Sequence, residues 1–476
     1  MRCRKSELSI IPVTTGNASR ADPDEERESQ TSELLERKMT GEPEPQNIST
    51  KLQRIAELAG YEPKLALTSL SHHIDIEWLK EANDQTRKDG ASGIDGQTGI
   101  DYARDLRANL ARLHEHFKSG NYRAPAVRRV LIPKGDGKTR PLGIPTYEDK
   151  VLQRAVLMAL EPVYERDFLD CSYGFRPNRS AHQAIEALWT NTMKMGGGYI
   201  IELDIESFFD MVDHSHLRNF LDQRVRDGVI RRMIGKWLNA GVLSEGQLLK
   251  TERGTPQGGV ISPLLANIYL HEVLDVWFER DVKPRLRSEA FMIRYADDAV
   301  LVFANEEDAR RVFDVLSKRF EKFGLRLHPE KTKLINFRRP KGQTQSKPDT
   351  FDFLGFTHYW GKSKKGYAVI KRQTSGKSFR KALRAVTDWC RLNRHEPIDE
   401  QHAKLRRKLR GHYAYFGVTG NSRALHTFLH MVERVWRKWL GRRSQRAHRD
   451  WDHFRAILKC YPLPPVRIVR SIYNSQ

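Results

Sequence analysis

Two short apolar segments that end in carboxylates constrain the fold of this chain more than any other feature. Residues 199–204 read Tyr-Ile-Ile-Glu-Leu-Asp, a strand-like run that stops at Asp204. Residues 291–303 contain two apolar runs that flank Asp297 and Asp298, which is the pattern of a β-hairpin with acids near its turn. A buried carboxylate is unfavourable unless it is paired or bound to a cation. We therefore expect one sheet that brings these three acids together.

The three carboxylates indicate a metal site, although a simpler interpretation exists. Carboxylate oxygens are hard ligands of the kind that Mg²⁺ prefers. Two such ions about 4 Å apart can activate a hydroxyl group and stabilise a leaving phosphate. Asp is also a common turn residue, so Asp297 and Asp298 alone fit an ordinary turn at least as well. The surrounding sequence has to decide between the two interpretations.

The segments around these acids mix helices and strands. Strands are predicted over 128–133 and 325–337, and helices over 149–168 and 307–323. Residues 134–138 predict a tight turn after the first strand. The mixture predicts an α+β body.

The positive charge is concentrated at the C-terminal end. The chain has 476 residues and a formal net charge of +22, and residues 341–476 hold 30 basic and 9 acidic side chains. Apolar residues keep helical spacing in three segments that begin near Phe379, Leu405 and Leu425, with Ser378 as the predicted first N-cap. This pattern predicts a helical bundle with a basic side suited to a polyanion. The alternative is a basic surface that only keeps the protein soluble.

Other features exclude several classes of protein. Residues 1–50 are rich in Glu, Ser, Thr and Pro, which predicts a disordered acidic tail that leads into the folded body by residue 60. No run of about 18 apolar residues occurs, so no membrane-spanning helix is expected. The four cysteines are far apart and form no CxxC pair, which argues against a zinc knuckle or a disulfide framework. These features favour a reducing, cytoplasmic compartment.

Several motifs stand in a fixed order around the acids. They are Arg140-Pro141-Leu142-Gly143-Ile144-Pro145, Tyr173-Gly174-Phe175-Arg176-Pro177, Leu203-Asp204-Ile205-Glu206-Ser207-Phe208-Phe209-Asp210, Gly254-Thr255-Pro256-Gln257-Gly258-Gly259, Ser262-Pro263-Leu264-Leu265-Ala266-Asn267, Tyr295-Ala296-Asp297-Asp298, His328-Pro329-Glu330-Lys331-Thr332 and Phe353-Leu354-Gly355-Phe356. Together they resemble the motifs of the reverse transcriptases encoded by group II introns, which also act as maturases. The YxDD box of that family matches residues 295–298.

The resemblance covers about residues 60–476 and implies a right-hand polymerase. It implies an N-terminal tail and lead-in over 1–60. The fingers and palm, an antiparallel sheet with helices, would occupy 61–375. A basic helical thumb, called domain X in this family, would occupy 376–476 with a short basic C-terminal extension.

The resemblance also implies roles for residues of the polymerase site. Asp204 and Asp297 would bind two Mg²⁺ ions, Asp298 is usually counted with them, and Ile205 would offer its backbone carbonyl. Phe209 matches the aromatic steric gate that favours dNTPs over NTPs. A core aromatic residue is the alternative for this position.

Three further residues match the nucleotide site of the family. Gln257 would lie against the incoming nucleotide, and Lys134 and Arg140 would hold the triphosphate. An ordinary turn and exposed surface cations are the alternatives. Lys331 stands where family members carry a basic residue near the leaving pyrophosphate, and 353–356 resembles the primer grip.

The basic bundle supplies candidates for RNA binding. Tyr413, Tyr415 and Phe416 could stack on unpaired bases, although core packing is the more common role of such residues. Arginines are better candidates for phosphate contacts, and they are Arg406, Arg407, Arg410, Arg442 and Arg443.

The implied function is RNA-directed DNA synthesis by two Mg²⁺ ions, combined with binding of the intron RNA to assist splicing and mobility. The implied partners are group II intron RNA, an RNA template with a DNA primer, dNTPs and target DNA, without a membrane, and a homodimer is left open. The sequence holds no His and paired-Cys cluster of the HNH type, so the expectation is the endonuclease-lacking branch of the family. A maturase without polymerase activity and a related polymerase that serves the host are the alternatives.

Overall fold

The structure is a computed structural model that describes residues 47–61, 65–133, 139–244, 247–249, 254, 258–340, 349–444 and 450–470. Residues from Leu52 onward form one compact unit. Most of the predicted tail, the predicted turn at 134–138, Lys134 and Gln257 lie outside the described residues. In the described part of the predicted lead-in, a helix begins at Ile48.

The first part of the chain is helical and leads into a hairpin. Its elements are the helices α1 (Ile48–Tyr61), α2 (Ile76–Asp84), α3 (Gly99–Ala103) and α4 (Leu106–Ser119), and the antiparallel strands β1 (Val127–Pro133) and β2 (Thr139–Ile144). A 3₁₀ turn covers Leu70–His73. The strand predicted over 128–133 is confirmed as β1.

The middle of the chain alternates helices with short strands. Its elements are α5 (Tyr147–Asp167), α6 (Ala181–Met195), β3 (Tyr199–Leu203), α7 (Phe208–Met211), α8 (His214–Asp222), α9 (Gly228–Leu238), β4 (Val242–Ser244), β5 (Gln247–Leu249), α10 (Ser262–Leu270), β6 (Ala290–Tyr295), β7 (Asp298–Phe303), α11 (Glu306–Glu321), β8 (Lys333–Asn336), β9 (Phe351–Phe353), β10 (Phe356–Lys362) and β11 (Ala368–Thr374). After α10 the chain continues in π-helical turns over His271–Asp275 and Trp277–Val282 and a 3₁₀ turn over Lys283–Arg285. The helices predicted over 149–168 and 307–323 are confirmed.

The strands form three sheets. The central sheet has the order β6-β7-β3-β8 and is antiparallel throughout. A second sheet has the order β2-β1-β4-β5, and a third has the order β11-β10-β9. The strand predicted over 325–337 is shorter than expected, since only Lys333–Asn336 forms a strand and a turn precedes it.

The central sheet is buried on both faces. Ile200, Val300 and Val302 lie in one apolar cluster with Ile185 and Leu188 of α6. On the other side, α11 packs against β3 and β7. Burial on both faces explains why the sequence shows continuous apolar runs here and no alternation of polar and apolar residues.

The last part of the chain is a helical bundle, as predicted. Its helices are α12 (Gly376–Leu392), α13 (Ile398–Phe416), α14 (Ser422–Leu440) and α15 (Trp451–Cys460). The predicted N-cap at Ser378 is wrong, because the hydroxyl of Ser375 accepts the hydrogen bond from the Ser378 backbone N–H at 3.3 Å. Helix α12 therefore begins one turn earlier than the apolar spacing indicated. No helix in the described ranges is long and apolar enough to span a membrane.

A buried carboxylate ties α5 to α9. Asp149 accepts hydrogen bonds from Trp237 Nε1 at 2.7 Å, Tyr122 Oη at 3.0 Å and Gln153 Nε2 at 2.9 Å. Desolvation exceeds the effect of these three donors and raises the pKa of Asp149 to about 6.

We predict that Asp149 makes the stability of the protein depend on pH. Its pKa is higher in the folded state than in the unfolded chain, so its contribution to stability is present below the unfolded pKa and is lost as pH rises through about 6. In Asp149→Asn, the urea midpoint should therefore fall less between pH 4.5 and pH 7.5 than in the parent, whereas Glu115→Gln, on the exposed side of α4, should leave the slope unchanged. Equal slopes in the parent and Asp149→Asn would contradict the assignment.

Candidate active site

The Tyr-Ala-Asp-Asp sequence forms the tight turn of a hairpin, as predicted. Tyr295 pairs with Asp298 at the end of β6 and β7, so only Ala296 and Asp297 make the turn. Ala296 has a φ of +57°, and a two-residue hairpin turn needs this left-handed conformation at one or both of its central positions. The turn therefore holds Asp297 and Asp298 in a fixed position at the end of the sheet.

The register of the central sheet brings the third carboxylate to the same place. Leu203 of β3 pairs with Ala299 of β7 in antiparallel register, so the next position along the ladder sets Asp204 beside Asp298. The backbone of Asp204 is fixed by His328, whose N–H donates to the Asp204 carbonyl at 2.9 Å. Ile205 forms an antiparallel bridge with Leu327. The sheet and this bridge together hold the end of β3 rigid.

The carboxylates line an open cleft of about 790 Å³. Asp204, Ile205, Phe209, Asp297 and Asp298 all line it. A neighbouring cleft of about 1140 Å³ shares Asp204 and Asp298 and extends to β9 and the start of α12. The structure thus joins five of the predicted site residues at one cleft.

Desolvation, followed by repulsion between carboxylates, raises the pKa of two acids at these clefts. Asp298 retains open surface but lies in a crowded recess, where desolvation, followed by the charges of Asp297 and Asp204, raises its pKa to about 6. Glu202, two residues before Asp204 on β3, has its pKa raised to about 7, first by desolvation and then by Asp352. The cluster therefore favours a compensating cation.

Part of that compensation comes from a lysine. Lys331 Nζ lies 3.3 Å from Asp204 Oδ1. Both side chains are partly exposed, so this pair adds little stability by itself. Its position brings a mobile cation to the edge of the carboxylate cluster.

The carboxylates alone do not complete the coordination of a divalent ion, so a substrate has to supply further ligands. Among the described residues, no three His, Cys, Asp or Glu side chains converge closely enough to hold a metal ion. Mg²⁺ commonly takes just one or two carboxylates and completes its coordination with substrate phosphates and water. Asp204 and the Asp297–Asp298 turn, which face one cleft from two chain segments, meet that smaller requirement.

The hairpin turn rests on a fully buried arginine that the sequence analysis missed. The Arg294 guanidinium donates to Asp275 through Nε at 2.7 Å and Nη2 at 2.5 Å, to Asn267 Oδ1 at 3.0 Å, to Ser172 Oγ at 2.8 Å and to the Ala296 carbonyl at 3.0 Å. These contacts use all five N–H donors of the side chain. Burial alone would raise the pKa of Asp275, but Arg294 holds it below its ordinary value. The pair is therefore charged. It fixes the turn through the hydrogen bond from Arg294 to the Ala296 carbonyl.

Left-handed backbone is concentrated at the cleft. Five non-glycine residues in the described part of the chain have a positive φ, and four of them line this cleft: Phe175, Ser207, Ala296 and Leu354. Such conformations are unfavourable for residues with a Cβ, and they cluster at active sites and ligand-binding sites. Their concentration here is a second indication, independent of the carboxylates, that this cleft is the functional site.

The other predicted nucleotide-site residues are described only in part. Phe209 is half-buried, its ring centre lies 5.3 Å from that of Phe208, and it faces the cleft. The backbone of Arg140 pairs with Ile132 in the β1–β2 hairpin, and its side chain is outside the described part. Of these residues, the structure places only Phe209 with the carboxylates.

The predicted RNA-binding arginines differ in their surroundings. Arg407 and Arg410 are exposed, three residues apart on α13, and Arg406 is half-buried. Arg442 lies over the Trp439 ring, 5.5 Å from its centre. Arg443 is half-buried and donates to the backbone carbonyls of the loop between α12 and α13, at Arg394 and Glu396. Arg443 therefore has a structural role within the bundle.

The aromatic residues of α13 pack inside the protein, which agrees with core packing, the alternative to base stacking. Tyr413 is buried, and Phe416 contacts Phe356 with ring centres 5.2 Å apart. Tyr415 Oη donates to the Leu354 carbonyl at 2.9 Å.

The sequence analysis missed the roles of three residues near the cleft. Glu202 could have been identified as a further acid at the neighbouring cleft from its period-two spacing to Asp204. The roles of Arg294 and Tyr415 depend on long-range contacts that leave no local pattern.

We predict that the Arg294–Asp275 pair is required for stability and for the shape of the turn. Asp275→Asn leaves a buried guanidinium without its counter-charge, which should destabilise the protein by about 3–5 kcal/mol. Glu307→Gln, which breaks the exposed ion pair with Arg287, should change stability by less than about 1 kcal/mol. Urea unfolding followed by far-UV circular dichroism measures both. Similar midpoint shifts in the two variants would refute this ranking.

Comparison with known proteins agrees with this geometry. A family model described as "Reverse transcriptase (RNA-dependent DNA polymerase)" matches residues 132–358, and a second, "Group II intron, maturase-specific domain", matches residues 377–457. Protein YkfC of Escherichia coli (strain K12) is 36% identical over 327 residues, which are 60% of this chain and 84% of that protein.

Two further relatives are described by their introns. The group II intron-encoded protein LtrA of Lactococcus lactis subsp. cremoris is 39% identical over 225 residues, which are 45% of this chain and 36% of LtrA. A 91 kDa protein in cob intron of Schizosaccharomyces pombe is 40% identical over 170 residues, 36% of this chain and 21% of that protein. The aligned regions thus span only part of these two relatives. With the carboxylate hairpin, the central sheet and both family models in agreement, the chain belongs to the reverse transcriptases that carry a group II intron maturase domain.

Proposed function

We propose that this protein is an RNA-directed DNA polymerase encoded by a group II intron, and that it also binds the intron RNA as a maturase. The observation that carries the polymerase assignment is the cleft in which Asp204, Asp297 and Asp298 meet at the end of the central sheet. The substrates are an RNA template, a DNA primer and dNTPs, and target DNA enters with intron mobility. The chain is the catalyst of DNA synthesis, whereas the intron RNA performs its own splicing chemistry.

The carboxylates provide the negative charge that would hold the metal ions. The family uses divalent metal ions, and in this proposal Asp204, Asp297 and the Ile205 carbonyl hold two Mg²⁺, with Asp298 beside them. When bound, such ions lower the pKa of the primer hydroxyl and stabilise the leaving pyrophosphate. The protein contributes a rigid placement of the carboxylates, because each is fixed by strand pairing or by the Arg294-supported turn.

Other residues of the cleft select and hold the nucleotide. Phe209 bounds the cleft from the segment that follows β3, where its ring would collide with a ribose 2′-hydroxyl. Lys134, Arg140 and Gln257 are proposed to contact the incoming nucleotide. Lys331, which reaches Asp204, is proposed to neutralise the departing pyrophosphate.

The helical bundle is proposed to be the thumb and the RNA-binding region. The domain division that we propose runs from a tail and lead-in (1–60) through fingers and palm (61–375) to the thumb (376–476). The start of α12 at Gly376 and the maturase model over 377–457 support the last boundary. Arg406, Arg407, Arg410 and Arg442 are proposed to contact RNA phosphates. Arg443, given its bonds to two loop carbonyls, is proposed to shape that surface.

We predict that Asp297→Asn abolishes DNA synthesis. The variant keeps the size of the side chain but removes a charge from the proposed metal site, so incorporation of labelled dTTP on poly(rA)·oligo(dT) with Mg²⁺ should fall about a thousandfold. Glu321→Gln on the exposed side of α11 should retain full activity. If the parent binds RNA tightly at moderate salt but neither it nor the variants incorporate dTTP, the protein is an RNA-binding splicing cofactor and the enzyme assignment fails.

We predict that Phe209→Ala weakens discrimination against ribonucleotides. Loss of the ring leaves room for a 2′-hydroxyl, so the ratio of kcat/KM for dTTP to that for UTP should drop roughly ten- to a hundredfold. Single-nucleotide extension of the same primed template measures both values. A parental ratio in Phe209→Ala would show that the ring belongs to the core and does not act as a gate.

We predict that Arg407 and Arg410 contribute to the salt dependence of RNA binding. Each neutralised phosphate contributes about 0.7 to 0.9 to the steepness of log K against log [salt], so Arg407→Gln with Arg410→Gln should reduce the steepness by about 1.4 to 1.8. The paired control is Arg107→Gln with Arg218→Gln, two exposed arginines outside the bundle. Filter binding to intron RNA at several KCl concentrations gives the slopes. The same decrease in both double variants would point to nonspecific charge and not to a thumb surface.

A further inference from the structure

Phe175 adopts a conformation that is unfavourable in two ways. Its φ is +57°, in the left-handed region that residues other than Gly, Asn and Asp rarely occupy. Its side chain is also 56% exposed, so the ring gains little from burial. A folded chain keeps such a residue only when its surroundings impose the conformation.

The residues on both sides of Phe175 impose it. A Cβ on Gly174 would lie 2.3 Å from the Ala296 nitrogen, so the chain at this point passes directly against the carboxylate turn. The Gly174 carbonyl also accepts a hydrogen bond from Asn267 Nδ2 at 2.7 Å. These contacts fix the backbone immediately before the ring.

The residue after Phe175 is fixed just as firmly. The buried Arg176 side chain pairs with Glu165 at 3.0 Å and donates to the carbonyls of Leu169 and Ser172 at 2.8 and 2.9 Å. Phe175 is therefore the exposed apex of a short segment that is anchored at both ends.

The ring is presented to the polymerase cleft. Phe175 lines the same cavity as Asp204, Asp297 and Phe209. Its ring centre lies 6.5 Å from that of Tyr295, with the two planes at 40°. The two rings form an apolar wall beside the carboxylates, on the side of the β6–β7 hairpin.

We propose that Phe175 is a substrate-contacting residue whose ring packs against the bases and sugars of the primer–template duplex next to the growing 3′ end. A ring without polar atoms makes no hydrogen bond that would favour one base over another, as a copying enzyme requires. The ring lies beside Tyr295 and the Asp297 turn, where a primer 3′ end must sit for its hydroxyl to reach the carboxylates, so the duplex is the proposed partner. This inference rests on the polymerase function proposed above.

The test uses Phe175→Gly, since glycine tolerates the left-handed backbone and removes the ring. The expected result is an unchanged or higher thermal midpoint, a KM for primed poly(rA) raised about tenfold, and a KM for dTTP within twofold of the parent. Phe175→Leu, which keeps apolar bulk without a flat ring, should show the same primer–template defect, and Phe175→Tyr should restore the parental value. Tyr367→Ser, at an exposed aromatic residue on the β10–β11 turn, is the control and should change nothing.

Direct binding separates this inference from the polymerase assignment. Fluorescence anisotropy without dNTPs should give Phe175→Gly about tenfold weaker binding to a labelled primer–template junction, and unchanged binding to single-stranded RNA of the same length. This result can be obtained even if the parent polymerises nothing. Parental junction affinity in both Phe175→Gly and Phe175→Leu would overturn the proposal. A lower thermal midpoint of Phe175→Gly without a junction defect, or a raised KM for dTTP alone, would do the same.

Discussion

The arrangement of the cleft depends on one buried guanidinium. Arg294 donates to Asp275, Asn267, Ser172 and the Ala296 carbonyl, so one side chain joins the hairpin to the helical stretch from Ser262 to Asp275 and to the loop at Ser172. A buried arginine is tolerable only when every donor has a partner, and each partner is consequently fixed in position. The turn that carries Asp297 is therefore the exposed end of a rigid network. The lack of space beside Gly174 and the strained φ of Phe175 both follow from how closely the chain packs against that turn.

The carboxylates themselves were predictable, because their cause is local. An apolar run that stops at an acid predicts a strand end, and the antiparallel register then sets Asp204 beside Asp298 without further information. The Arg294 network was not predictable in the same way. Arg294 and Asp275 are 19 residues apart and Ser172 is 122 residues from Arg294, so no local periodicity relates them. Within Tyr295–Asp298 the sequence indicates a turn but not the buried contact that holds it.

The helical bundle shows where local patterns fail in smaller ways. Apolar spacing located α12, α13 and α14 correctly, because each helix buries one continuous stripe. It placed the first N-cap at Ser378 and not at Ser375, since both serines precede an apolar stretch and only the backbone geometry distinguishes them. The aromatic residues of α13 carried no signal for burial or exposure either. The hydroxyl group of Tyr415 would suit an exposed position, but in the structure it donates a hydrogen bond to the Leu354 carbonyl.

That last contact joins the two proposed activities of the protein. Arg407 and Arg410 lie on α13, and the same helix ends at Phe416, beside the turn that contains Leu354 and Gly355. His182 of α6 also bonds the Tyr415 carbonyl at 2.8 Å, so the end of α13 is attached at two points, to α6 and to the turn at Leu354. Leu354 has a φ of +48° and lines the cleft with the carboxylates. The α13 arginines proposed to contact RNA therefore lie on a helix whose C-terminal end packs against a strained turn of the cleft. In the proposed function, the RNA-binding surface and the polymerase cleft would therefore share one helix, α13.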